Sequence, residues 1–279
     1  MTLIARSNRE ARAFDTSHTD AAPGVPGALN TQIDHIVVVA QTLEQGVAWC
    51  EATLGITPQP GGDHPQFGTH NRLFKIATPN FPLAYLEIIA IKKIAAQAIN
   101  TPANTQNKAQ NKDLNKAVKA RWFDMDDAVL QAAVAKEPHL VHFVANTDDI
   151  QAGRAALKAI GIDRGAAVEA SRPTRKGRLE WKITVRDDGQ RLFNGALPSL
   201  IQWGKTNATE PLRLHPRNTL PRSGVSLQSV VVSSPTPEKL QTAYDAIGLV
   251  GVTLSEGDAN ITVTLKTPKG LVELQSLGI

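Results

Sequence analysis

One plan of strand, cap, helix and closing glycine occurs three times along the chain, and a duplication of that kind restricts the fold more than any single motif. The stretch QIDHIVVVAQTLEQGVAWCEATLGI (32–56) is echoed by HLVHFVANTDDIQAGRAALKAIGI (139–162) and by LQSVVVSSPTPEKLQTAYDAIGLVG (227–251). From His35 to Gly55 is 20 positions, from His142 to Gly161 is 19, and from Ser229 to Gly248 is 19. In each copy an apolar run predicts a strand, and a polar residue predicts the helix cap: Thr42 in a capping box with Gln45, Asp148, and Thr236 followed by Pro237. Glycine then ends the helix.

Strand-like segments follow every helix: HNRLFKIA and PLAYLEIIAI, then GRLEWKITVRD and LPSLIQWG, then ANITVTLKT and GLVELQSL. A βαβββ unit leaves one sheet face open, so two units must pair to bury it. The expected fold is α+β: paired βαβββ modules forming a cupped mixed sheet, with a third partial module. The boundaries read as a mobile N-terminal tail at 1–30, modules at 31–92 and 121–205, and a third partial module at 206–279. A surface insertion at 93–120, rich in Asn, Gln, Lys and Ala, carries a short helix near Leu114–Ala120. A further helix begins near Asp126 and stops before Pro138, anchored by Trp122 and Phe123.

Several classes find no support. The one cysteine, Cys50, makes no internal disulfide. No apolar run reaches membrane-span length and the N-terminus lacks a signal-like core, so no membrane association and a cytoplasmic location are expected. The formal charge is +4, with one basic cluster at Arg172, Arg175, Lys176, Arg178 and Lys182 and no aromatic-studded basic stripe, which argues against nucleic acid. That cluster reads as a solvated edge or, less commonly, as a surface recognising an acidic small molecule.

Four residues stand out. His35 and His142 occupy matching strands of the first two copies, while Glu87 and Gln202 each lie within the last strand of the same copies. Strict alternation puts His35 with Val37 and Val39 on one face of its strand and Asp34 on the other. If the copies pack about a pseudo-twofold axis, the four side chains meet in one cavity. Two imidazoles, a carboxylate and an amide oxygen suit a divalent ion such as Zn, Fe, Mn, Ni or Co with positions left for a substrate. The bland reading is two buried histidines satisfied by backbone or by a neighbour such as Asp34. His70, Asn71 and Arg72, after the glycine-rich GGDHPQFGT, are expected at the cavity mouth as substrate-binding residues, together with Trp203. Glu87 and Glu180 are the catalytic candidates.

The ligand strands, with IDHIVVVA, HPQFGTHNRLF, YLEIIAI, RWFDMDD, GRLEWKITV and LPSLIQWG, resemble the glyoxalase-like domain family of the vicinal oxygen chelate superfamily, which includes glyoxalase I, extradiol dioxygenases and bleomycin-resistance proteins. The resemblance runs from Ile33 onward. It implies His35, Glu87, His142 and Gln202 as metal positions and a metal-dependent lyase, isomerase or oxygenase acting on a small oxygenated substrate. One departure weighs on the reaction: those enzymes place a glutamate where Gln202 stands, and an amide accepts no proton near neutral pH. Two alternatives stay open: a metal-free protein that sequesters a small molecule, and structural histidines with a surface for a partner protein. A monomer and a homodimer are both compatible with two ligand-bearing copies in one chain.

Overall fold

The first apolar run forms β1 (Thr31–Val39), buried on both faces, as a strand between two packed layers must be. A computed structural model describes residues 29–92, 120–205 and 208–279. The expectations for 1–28 and for 93–119, tail and insertion alike, lie outside the described residues. In the first copy β1 is followed by α1 (Leu43–Leu54), β2 (Gln59–His64), β3 (Thr69–Lys75) and β4 (Tyr85–Ile91). Thr42 caps α1 by accepting from the backbone N–H of Gln45, whose side chain in turn accepts from Gln41 N. After α2 (Ala128–Val134), the second copy runs β5 (His139–Asn146), α3 (Ile150–Ala159), β6 (Ala166–Thr174), β7 (Gly177–Val185) and β8 (Ser199–Trp203). Its helix cap is Asp149, one residue later than expected.

These strands join in the order β2-β3-β4-β1-β5-β8-β7-β6, and the antiparallel pairing of β1 with β5 unites the two modules edge to edge. Each first strand runs parallel to the last strand of its own module, β1 beside β4 and β5 beside β8. The result is the α+β architecture of paired βαβββ units. One face packs on the helices around Ile36, Val38 and Phe143, and the other encloses a cup lined by Val37, Tyr85, Trp122 and Trp181. Helices α1 and α3 lie close on the sheet because each meets it through a glycine 11 positions after the copy's histidine. A Cβ on Gly46 would collide with Ile88, and one on Gly153 would come within 2.6 Å of Leu200.

The third copy departs from this plan. After α4 (Pro216–Thr219) come β9 (Ser226–Ser234), α5 (Pro237–Ile247), β10 (Leu249–Val250), β11 (Thr253–Glu256), β12 (Asn260–Thr267) and β13 (Gly270–Gln275). Four of these strands form their own sheet, β11-β9-β12-β13, while β10 pairs with the start of β1. The new sheet packs on the helix-bearing face through Val230, Val232, Ile261 and Val263. The Tyr244 hydroxyl donates to Ala196 O at 2.7 Å across that junction. The third copy thus thickens the back of the cup, and its site-facing side stays open to other residues.

Candidate functional site

Strand alternation fails at the residue that matters most for His35. The β1–β5 register slips between Ile33 and His35, so Asp34 has no cross-strand partner and its carboxylate turns to the side of the histidine. Asp34 is completely buried and receives N–H groups from four residues. His35 Nδ1 lies 2.7 Å from Oδ1; Trp203 Nε1, His215 Nε2 and Asn146 Nδ2 lie 2.8, 3.0 and 3.4 Å from Oδ2. Burial alone would raise the Asp34 carboxyl, but the charge and hydrogen bond of His215, then those of His35, outweigh it and hold the group well below the usual carboxylate range. An ionised carboxylate only accepts, so every nitrogen facing it is a donor. His215 Nδ1 lies 3.0 Å from Arg217 N, so the ring meets Asp34 through its Nε2–H. His35 carries its proton on Nδ1, leaving Nε2 as the working nitrogen.

His35 Nε2 faces Glu87 Oε2 at 3.6 Å, inside ion-pair distance and beyond a hydrogen bond. Glu87 is steadied on its other oxygen by Asn71 Nδ2, at 2.5 Å, while Asn71 Oδ1 accepts from Gly62 N at 2.8 Å. The His35 ring stacks on Tyr85 with centroids 4.6 Å apart. His35, Glu87, Asn71 and Trp203 line a cavity of about 30 Å³ with Trp122 and Arg172, enough for one water or the reacting atom of a larger molecule. Trp122 Nε1 is buried with no hydrogen-bond partner among the described residues. A polar hydrogen left unpaired beside a cavity costs free energy unless a ligand takes it up. His64, against Trp122 and Trp181, is pushed down to about 4 by burial and is neutral at pH 7.

The expected four-ligand centre does not form. His142 lies on the cup face opposite Val37, but its nitrogens are spent: Nδ1 on Gly195 O at 2.7 Å, Nε2 on Ser199 N at 3.0 Å. Burial, then the Arg164 guanidinium 3.3 Å from Nε2, holds its pKa well below the ordinary histidine value. Gln202 is on the opposite face of β8, where it accepts from Ile150 N and donates to Asp148 O at the start of α3. Ile201 and Trp203 occupy the cup side there, because one residue of register exchanges the faces. Among the described residues no three of His, Cys, Asp or Glu stand close enough to share an ion. The donor set of four therefore does not fit, and His35 with Glu87 is the pair that remains in one cavity.

The other candidates divide in the same way. Asn71, Trp203 and Glu87 are at the cavity. His70 and Arg72, which flank Asn71, alternate onto the other face of β3, on the side of Glu44 of α1. Glu180 faces out beside Arg178 and Lys205 and borders two surface clefts of about 470 and 440 Å³ that do not include His35. The sequence points to Asp34 only as a neighbour that satisfies a buried histidine, and it does not single out His215, which precedes the first strand of the third copy; the one local signal there is a histidine before Pro216.

A model of the glyoxalase-like domain matches residues 33–248. The chain belongs to the glyoxalase-like domain family. No protein of curated function matches it. A hypothetical protein from Staphylococcus aureus shares the fold at 16% identity and a TM-score of 0.53, over 82% of this chain and 87% of that one. A methylmalonyl-CoA epimerase from Streptomyces coelicolor, in complex with 2-nitronate-propionyl-CoA, is 16% identical over 63% of this chain and 98% of that one, with a TM-score of 0.34. No helix among the described residues is long and apolar enough to cross a membrane.

Proposed function

We propose that this glyoxalase-like protein is an enzyme that moves a proton on a small oxygenated molecule, with His35 Nε2 as the base and Glu87 as its partner. The observation that carries the reading is the buried line Asp34–His35–Glu87: a carboxylate fixes the tautomer and aim of an imidazole whose other nitrogen opens on a small aromatic-lined cavity beside a second protonatable group. His35 would take a proton from a carbon next to a carbonyl, and the electron pair left behind would pass to the carbonyl oxygen. Trp122 Nε1–H and the Arg172 guanidinium are the donors beside the cavity for that developing charge. Return of a solvent-exchanged proton to the same carbon from His35 gives exchange; passage of the proton from His35 Nε2 to Glu87 Oε2, 3.6 Å away, and its return from that carboxyl gives epimerisation when the planar carbon presents its other face. Isomerase and lyase chemistry both begin with this step, whereas an oxygenase would need the ligand set that the second module does not supply.

Solvent-deuterium incorporation tests the proposal. Small 2-oxo and 2-hydroxy acids are incubated with the protein in D2O and followed by proton NMR. Exchange is expected next to the carbonyl for at least one of them, falling about 100-fold or more in His35→Ala, the usual contribution of a positioned base. Sequestration, the rival reading, is favoured by the tryptophan lining at Trp122, Trp181 and Trp203. Binding without exchange, undisturbed by His35→Ala, would establish it and end the enzymatic reading.

A further inference from the structure

The inner cavity and its surroundings differ greatly in scale. About 30 Å³ beside His35 admits little more than a reacting group, yet the cavity shares Leu73, Arg172 and Pro216 with an outer cleft of about 1020 Å³. A cleft of that size accommodates a whole cofactor-sized molecule. Its charge is one-sided: Arg172, Arg175 and Lys176 border it, and the acid there, Asp63, is paired with Lys92 at 2.6 Å. Arg172 occupies the threshold, half-buried on β6, and the structure shows no hydrogen bond or ion pair from its guanidinium to a described residue. The neighbouring backbone is shaped around it, since a Cβ on Gly62 would collide with Arg172 Nη1. Arg175 and Lys176 project from a β6–β7 turn stiffened by Thr174 Oγ1, which donates to Gly177 O at 2.6 Å and accepts from Lys176 N at 3.2 Å. Arg213 donates to Lys176 O at 3.5 Å and holds the same turn.

We infer that the outer cleft is an anion-binding site, centred on Arg172 and extended by Arg175 and Lys176, for the phosphate- or carboxylate-bearing tail of a two-part ligand whose reacting head enters the inner cavity. A planar guanidinium with free donors suits either oxyanion, and Arg172 stands where a tail would leave the head. Binding energy gathered along the tail holds the head against His35, which a cavity of a few atoms could not do alone. The placement of the head rests on the proton-transfer reading; the anion site does not.

Inorganic pyrophosphate serves as the probe, titrated calorimetrically into the full chain at constant ionic strength. Saturable one-to-one binding is expected, weakened at least tenfold by Arg172→Gln and severalfold by the double variant Arg175→Gln, Lys176→Gln, whose changes lie on an exposed turn and leave the fold intact. Binding unaltered in His35→Ala separates this site from the catalytic reading, which fails independently if that variant keeps full exchange activity. No saturable binding to the wild type, or binding that the double variant leaves unchanged, overturns the inference. Loss of pyrophosphate binding in His35→Ala, with Arg172→Gln unaffected, overturns it as well by placing the anion in the inner cavity.

Discussion

Replacing Asp34 by Asn removes the charge that organises the site while keeping its shape. Asp34 is wholly buried, and its two oxygens accept from His35 on one side and from Trp203, His215 and Asn146 on the other. Asn has one acceptor oxygen. With that oxygen turned to Trp203 and His215, the amide N–H2 meets His35 Nδ1–H and forces the ring into the opposite tautomer. Bonds to a charged acceptor contribute about 1.5–3 kcal/mol each, and breaking a buried charged network costs about 3–5 kcal/mol. A loss of about 3–5 kcal/mol is therefore expected, which at roughly 2–4 °C per kcal/mol for a chain of this class lowers Tm by roughly 6–20 °C. Urea denaturation at pH 7 measures it. The Asp34 carboxyl is held below its unfolded value of 3.8, so its contribution is present above that pH and lost as pH falls through the folded value. The gap between wild type and variant should already be shrinking at pH 3. A difference below about 1 kcal/mol at pH 7, or one that grows between pH 4 and pH 3, would show that the Asp34 charge does not organise this network.

Burial holds His64 down to about 4 and His142 well below the ordinary 6.5. Both are neutral when folded and take up protons when unfolded, so stability should fall as pH drops from about 6.5 towards 4, by up to about 1.4 kcal/mol per pH unit for each ring; His64→Gln should flatten the slope. Gly46→Ala and Gly153→Ala gain helix propensity of about 1 kcal/mol but overpack the helix–sheet contact at Ile88 and Leu200 by about 1–3 kcal/mol, so chemical denaturation should show each variant less stable than wild type. Gln202→Glu restores the carboxylate expected at that position, yet it faces the start of α3; it should leave proton exchange unchanged and create no ion site detectable by calorimetry with Zn2+.

The duplicated strand–cap–helix plan and its spacings were legible because they are local, and they led to the paired-module architecture that the structure shows. Gly46 and Gly153 share that spacing too, but their part in seating the helices came to light only in the structure. What failed was non-local or one residue wide. Alternation assigned Asp34 to the far face, and a slip in register returned it. Gln202 followed alternation faithfully and for that reason pointed away from the cup. His142 is symmetric with His35 in sequence, but its partners Gly195, Ser199 and Arg164 lie 53, 57 and 22 residues away and carry no mark of their role. His215 reaches Asp34 across 181 positions from a segment that matches none of the repeats.

Long-range proton–nitrogen NMR of the histidine side chains during titration with Zn2+ tests the asymmetry of the two modules directly. In the free protein His35 should carry its proton on Nδ1, and during the titration the ring signals of His142 should stay fixed even if those of His35 move. Joint movement of His35 and His142 to a common stoichiometric endpoint would contradict that asymmetry, because it would place both imidazoles on one ion.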